Sequence, residues 1–421
     1  MLLAAVAVLA SVGPALAQSP AATPAQLEQA RRILRTTPLV DGHNDLPWEI
    51  RTRFAGRIEA ADLGGDTRGK LHTDIARLRR GGVGGQFWSV YIPADLSGPA
   101  ATQAVMEQID IVRRMVALHP GAFELATTAA DVERVQKAGR IASLIGLEGG
   151  YGIADNLAVL RGLHAEGVRY ITLTHSKTTS WADSATDAPR HGGLSPFGEA
   201  VVREMNRLGV LVDLSHVSEE TMVDAMRVSE APVIFSHSSA RAVNGHPRNV
   251  PDGVLRLLPA DGGVVMVNFY PVFVSEPLRR LAALQTAEAA RLGALHPGDP
   301  DRVKRELAAW TAAQTVPQAT LAEVADHLEH IRRAAGVDHV GIGSDFDGVP
   351  SLPEGLGGVE TYPALLAELL RRGWSEADVR KLAGGNILRV MRAAESTAAR
   401  LQRTTAPSMA TIAELDGPGK R

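Results

Sequence analysis

Short apolar runs alternate with amphipathic stretches along most of the chain, and glycines punctuate the joints. Runs rich in β-branched and aromatic residues read as buried strands, and stretches with apolar positions three and four apart read as helices. Strands are predicted at 39–45, 85–92, 141–148, 168–175, 210–216, 232–237, 263–270 and 339–345. Helices are predicted at 25–35, 73–80, 101–118, 130–138, 156–166, 196–208, 219–228, 253–258, 321–335, 363–372 and 376–394. In the third of these, Val105, Ile109, Val112 and Val116 mark a single face. Only the Ala- and Leu-rich stretch at about 274–318 breaks the rhythm, and it reads as a helical insertion.

Apolar strands that alternate with helices predict a parallel sheet, because a strand covered by helices on both sides is apolar throughout. Eight is the number that closes a (β/α)8 TIM-like barrel. An open doubly wound sheet fits the alternation too, but would more often carry a Gly-rich phosphate loop after its first strand, and none is present. The barrel is expected over 25–395, followed by a weakly ordered C-terminal tail at 396–421.

Polar residues interrupt this pattern at the strand ends. His43 and Asp45 end the first predicted strand, Glu148 the third, His175 the fourth, His216 the fifth, His237 the sixth and Asp345 the eighth. In a parallel barrel those ends meet at one rim, where active sites of this fold sit. A lone histidine at a strand end is ordinarily a hydrogen-bonded structural residue; ligand-type side chains at six strand ends are not explained that way. Positions i and i+2 of a strand share a face, so His43 and Asp45 can grip one ion. Imidazole and carboxylate together suit zinc, whereas a calcium or magnesium site takes oxygen ligands. The ligand count suggests two metals, with His43, Asp45 and Glu148 on one and Glu148, His216 and His237 on the other. Glu148 would bridge, one oxygen to each ion. The glycines around it, Gly146, Gly149 and Gly150, would let backbone approach closely.

Composition narrows the chemistry. The chain contains no cysteine, which excludes thiolate nucleophiles, disulfides and sulfur-held zinc. A net charge of -3 with no basic run offers no field for nucleic acid, so the expected partner is a small molecule. Residues 1–17 form an apolar run ending Ala15-Leu16-Ala17, which reads as a signal peptide ahead of a Pro/Ala-rich linker at 18–24. The mature protein is therefore expected to be exported, periplasmic or secreted. The polar C-terminal residues carry no anchor signal, so no stable membrane anchor is expected. Asp183 and His191, in the long loop after His175, could line the mouth, although solvated loop residues are the commoner case.

Eight segments carry a more specific signal: VDGHNDLPW at 40–48, GQFWSVY at 85–91, GLEGG at 146–150, YITLTHS at 170–176, VDLSHVS at 212–218, FSHSSA at 235–240, VNGHPRN at 243–249 and GSDFDG at 343–348. Together they resemble the membrane (renal) dipeptidase family of zinc-dependent amidohydrolase-type barrels, in register from about residue 38 to 390. The resemblance implies two zinc ions per subunit held by His43, Asp45, Glu148, His216 and His237, with His175, Arg248 and Asp345 contacting substrate. It implies hydrolysis of a dipeptide with free termini by a metal-bridging hydroxide. In that scheme His175 would stabilise the oxyanion, Asp345 would pass the proton to the leaving amine, and Arg248 would take the terminal carboxylate. A homodimer is implied as well. Mammalian members carry cysteines and a C-terminal lipid-anchor signal, and this chain matches neither feature. Two other readings stand beside this one: hydrolysis of another amide, lactone or phosphoester at the same site, and a zinc-binding protein without turnover.

Overall fold

Residues 21–417 are described in a computed structural model. The expected signal peptide at 1–17 and the first part of the linker lie outside the described residues.

Among the described residues nine strands form, all paired in parallel: β1 (Leu39–Asn44), β2 (Val83–Tyr91), β3 (Phe123–Leu125), β4 (Ile141–Glu148), β5 (Val168–Thr172), β6 (Leu211–Asp213), β7 (Ile234–Phe235), β8 (Val264–Val267) and β9 (Val340–Ile342). Eight of them close a ring in the order β2-β1-β9-β8-β7-β6-β5-β4, with β4 returning to pair with β2 along Gly85–Tyr91. This is the expected (β/α)8 barrel. The ninth strand, β3, was not anticipated. It pairs with Ile141–Ser143 at the start of β4, before β5 joins that edge at Ile145, and three residues leave too short a signal to read.

Apart from the half-buried Tyr91 and Arg169, the eight barrel strands are buried on both faces, and neighbouring residues divide between two cores. Val40, Phe87, Leu144, Tyr170, Leu211 and Val264 belong to one cluster, while their neighbours Leu39, Trp88, Ile145, Ile171, Val212 and Val265 pack in the other, with the helices. The helices start and stop on local chemistry. Ser195 caps the helix Pro196–Leu208 by accepting from the Gly198 N–H, and Gly209, at φ 79°, turns the chain into β6.

Several strands are shorter than expected. His175, His216, His237 and Asp345 stand two or three residues past the last residue of β5, β6, β7 and β9. His216 and Asp345 adopt φ of 71° and 66°, values no strand accommodates. The predicted helix at 253–258 is two turns, Asp252–Leu255 and Leu258–Asp261, and the one at 376–394 is interrupted by a π turn at Lys381–Gly385. A helix at Leu46–Arg53 was not anticipated.

The C-terminal segment is also corrected. The last long helix, Asn386–Thr404, runs beyond 395 and buries Ala398 and Leu401. A further turn, Ile412–Asp416, brings the Asp416 carboxylate to Ser195 Oγ (2.5 Å) and the Phe197 N–H (3.1 Å). Residues 396–417 are thus docked, because Asp416 supplies an acceptor to the N-terminus of the helix Pro196–Leu208.

Between β8 and the helix Leu321–Ala335 lie the helices Glu276–Leu295 and Pro300–Ala312, which bury only Leu292 between them. No helix among the described residues is long and apolar enough to cross a membrane.

Candidate metal centre

Strand ends and the turns after them deliver the site. His43 is near the end of β1, Asp45 is the N-cap of the helix Leu46–Arg53, and Glu148 is the last residue of β4. A cavity of about 370 Å³ is lined by Asp45, Glu148, His175, His216, His237, Arg248 and Asp345, together with Trp48, Tyr91, Tyr270 and Phe273. His43 is fully buried and touches two of the lining carboxylates. All eight residues singled out from the sequence are therefore gathered in one place.

Glu148 organises the cluster. Its Oε2 lies 3.5 Å from His43 Nε2, while its Oε1 lies 3.0 Å from His216 Nε2, 3.4 Å from His237 Nε2 and 3.7 Å from His175 Nε2. The two carboxylate oxygens face different imidazoles. Asp45 Oδ2 stands 3.2 Å from His43 Nε2, and the Nε2 atoms of His216 and His237 are 2.9 Å apart. Ligands about 2.0–2.1 Å from a tetrahedral ion are separated by roughly 3.4 Å, so these spacings match the edges of a coordination polyhedron. His43 Nε2 is buried and, although close enough to Asp45, is not aligned for a hydrogen bond; Asp45 Oδ1 has no partner either. Buried polar atoms left in this way, converging on a common point, fit a cation.

Among the described residues three groups offer metal-ligand atoms within 4.8 Å of one another: His43, Glu148 and His237; Glu148, His175 and His216; and His43, Asp45 and Asp345. The cluster is thus wider than the two triads drawn from the sequence, since His175 and Asp345, which those triads leave out, also reach ligand distance.

Electrostatics suit the same purpose. Burial pulls the imidazoles of His216 and His237 well below their ordinary value, leaving the neutral form a metal needs. Burial pushes the Glu148 carboxyl up, but His43, His175 and hydrogen bonds to His216 and His237 outweigh it and hold the group ionised. Burial and the neighbouring Asp45 and Glu148 raise Asp345 to about 7 against the pull of His43, and Asn268 Nδ2 donates to its Oδ2 at 2.8 Å.

A supporting shell escaped the sequence reading. Ser236 Oγ is 2.8 Å from His237 Nδ1 and donates to Asp213 Oδ2 at 2.6 Å. The fully buried Asp213 also accepts from Thr172 Oγ1 and from the N–H groups of Ser215 and Ser236. Asp41, equally buried, accepts from the Tyr362 hydroxyl and Ser344 and so ties β1 to the turn after β9. The readable signal was a carboxylate inside an otherwise apolar strand. Tyr170 meets His43 Nδ1 at 2.8 Å. Gly146 is required there, since a Cβ would fall 2.0 Å from Tyr170 Cζ, and one on Gly348 would fall 2.1 Å from Asp45 Oδ2.

Asp183 turns out to be neither solvated nor part of the mouth. It is fully buried and accepts the N–H groups of Arg190, His191, Gly192 and Gly193, which holds its loop in shape. A larger cavity of about 790 Å³ shares Trp48, Gly348, Val349 and Pro350 with the first, but holds none of the histidines of the cluster. Size does not identify the site; the converging ligand atoms do.

Arg248 is 2% exposed and makes no ion pair among the described residues. Nη1 donates to Ser238 Oγ at 3.3 Å, Nη2 to the His237 carbonyl at 3.2 Å, and Nε has no partner. Burial lowers it to about 10, still cationic at neutral pH.

This geometry agrees with what the chain is similar to. Residues 27–405 match the family model described as membrane dipeptidase, peptidase family M19. Dipeptidase 3 of Rattus norvegicus is 42% identical over 373 residues, 87% of this chain and 67% of the relative, and Dipeptidase 3 of Mus musculus is 42% identical over 87% and 66%. The chain thus spans about two thirds of the length of these relatives. Among solved structures, the probable dipeptidase PvdM from Pseudomonas aeruginosa superposes with a TM-score of 0.77 at 27% identity, over 89% of this chain and 100% of that one. A metallopeptidase from Rhodobacter sphaeroides, liganded with a phosphinate mimic of the dipeptide L-Ala-D-Ala, gives 0.70 at 26%, over 85% and 99%. With its barrel, its cluster of histidines and carboxylates and this match along nearly its whole length, the chain belongs to the membrane dipeptidase family of metallopeptidases, M19.

Proposed function

We propose that the protein is a binuclear zinc dipeptidase that hydrolyses the peptide bond of dipeptides with free termini. The observation that carries this reading is the pair of Glu148 oxygens, one turned to His43 and the other to His216, His237 and His175. The donor set supports zinc, being imidazole and carboxylate without sulfur. His43, Asp45 and Glu148 would hold one ion and Glu148, His216 and His237 the other. When bound, the ions would supply a hydroxide nucleophilic near neutral pH and polarise the scissile carbonyl.

The chain's own residues do the rest. Arg248 presents an unneutralised guanidinium whose free Nε can take the terminal carboxylate, which sets the register of the scissile bond. His175, half-buried at the rim, donates to the oxygen that becomes negative. Asp345 accepts the proton released on attack and delivers it to the departing amine. Asn268 steadies it in that position.

The experiment is release of amino acids from a panel of L,L- and L,D-dipeptides, before and after chelation and after zinc is restored. The L,D members belong in the panel because the Rhodobacter sphaeroides relative is liganded with an L-Ala-D-Ala mimic. Chelator-sensitive cleavage restored by zinc supports the proposal. No cleavage with two zinc ions bound would move the reading to another amide, lactone or phosphoester, which the same panel extended to esters would reveal. Retained zinc without any turnover would indicate a non-catalytic zinc-binding protein. The proposal extends to an exported homodimer, on the strength of the leader-like sequence and the family resemblance.

A further inference from the structure

Arg248 is a buried cation that makes no contact ion pair among the described residues, although the carboxylates of Asp345, Glu148 and Asp213 act on it from further away, and what packs against it is an aromatic ring. Its Cζ lies 5.3 Å from the centroid of Phe273. That ring is braced on two sides, edge-on by Tyr270 at 4.8 Å and by the tilted imidazole of His246 at 4.4 Å. The backbone is laced in the same place. Asn249 Nδ2 donates to the Phe273 carbonyl at 2.9 Å, Asn244 Nδ2 donates to the Val272 carbonyl at 3.0 Å, and the Arg248 N–H donates to His246 Nδ1 at 3.1 Å. The turn Pro271–Val274 and the loop that carries Arg248 are therefore tied to each other.

An aromatic face attracts a guanidinium through its quadrupole but carries no net charge. A carboxylate in the same position would neutralise Arg248 and compete with any anionic ligand. The ring orients the cation and leaves its attraction for an anion intact. His246 is compatible with this arrangement, because burial and Arg248 lower it to about 4 and keep it uncharged.

We propose that Phe273 is a positioning residue that holds the Arg248 guanidinium in the orientation that receives the terminal carboxylate of a dipeptide. The proposal rests on the reading of Arg248 given above. No motif of the sequence pointed to Phe273, which lies just past the last predicted strand before the insertion.

The test uses zinc-loaded full chain and a pair of competitive inhibitors, a phosphinate dipeptide mimic with its terminal carboxylate and the same molecule as its amide. Phe273→Leu removes the ring and keeps apolar bulk, Phe273→Met is the second variant should the first fold poorly, and Phe273→Tyr restores the ring. Phe273→Leu is expected to weaken the acid about five- to tenfold and leave the amide within about twofold, with KM for a free dipeptide rising and kcat nearly unchanged. Phe273→Tyr should return the acid to the wild-type value. Equal loss for both inhibitors, or no loss for either, overturns the positioning role. Arg248→Ala separates the two levels. If it too fails to discriminate acid from amide, the carboxylate reading of Arg248 is what falls; if it discriminates and Phe273→Leu does not, only the proposal about Phe273 falls.

Discussion

The hydroxyl of Tyr170 stands 2.8 Å from Nδ1 of His43. His43 turns its other nitrogen toward Asp45 and Glu148, so for Nε2 to serve as a ligand the ring proton must sit on Nδ1 and point at the tyrosine oxygen. Removing that oxygen frees the ring to rotate and to change tautomer. Tyr170→Phe is expected to lower metal affinity about 10- to 100-fold, read by competition with a chromophoric chelator. Affinity equal to wild type would show that the ring is held by packing alone.

Glu148 and Asp345 are predicted to separate metal binding from turnover. Glu148→Ala should lose both ions, because its two oxygens face both sides of the cluster. Asp345→Asn should keep close to two ions per chain by elemental analysis and lose about 100-fold or more in kcat. The proton acceptor must be ionised to work, so kcat/KM should rise with pH through an acid limb. That limb should lie below the value of about 7 that the metal-free carboxyl has, since bound cations favour the charged form. A variant that stays fully active would remove Asp345 from the proton path.

Gly146 links packing to the metal. An alanine Cβ would meet the Tyr170 ring at 2.0 Å, in a strand buried on both sides. The ring must move, taking its hydroxyl from His43. Gly146→Ala should destabilise the fold by about 1–3 kcal/mol in urea titration and weaken metal binding with it. A stable variant with normal metal affinity would mean that Tyr170 relocates freely.

Asp261 offers a pH test away from the metal. It accepts from the Val233 N–H at 3.1 Å, and burial raises it from 3.8 to about 6. A carboxyl whose folded value exceeds its unfolded one contributes stability below about 4 and loses it as pH rises through 6. The shift corresponds to at most about 3 kcal/mol. Asp261→Asn keeps the acceptor without the charge, so its stability relative to wild type should improve between pH 4 and pH 8. A difference that does not change with pH would show that the wild-type carboxylate is well solvated.

Much of this was legible in advance. Glu148 could be read because it ends a long apolar run, and His43 and Asp45 because two ligand-type residues stand two apart at a predicted strand end, although β1 stops at Asn44 and Asp45 reaches His43 as the N-cap of the helix Leu46–Arg53. Asp213 and Tyr170 were harder to read, since each works through a partner distant in the chain, at Ser236 and His43. The docked C-terminus was missed because its buried face is made of Ala398 and Leu401 rather than a strong apolar stripe, and because its anchor, Asp416, finds Ser195 only in three dimensions.

The sequence by itself determined the barrel and the residue types gathered at its rim. A parallel strand buried on both faces must be apolar along its length, and a helix over it must be amphipathic, so the alternation is written locally, as are the ligand types at the strand ends. Only the tertiary structure decided which atoms converge. The two faces of Glu148, the left-handed turns at His216 and Asp345, and the seat of Arg248 against Phe273 depend on backbone reversals and on contacts between residues far apart in sequence, and no local pattern encodes those.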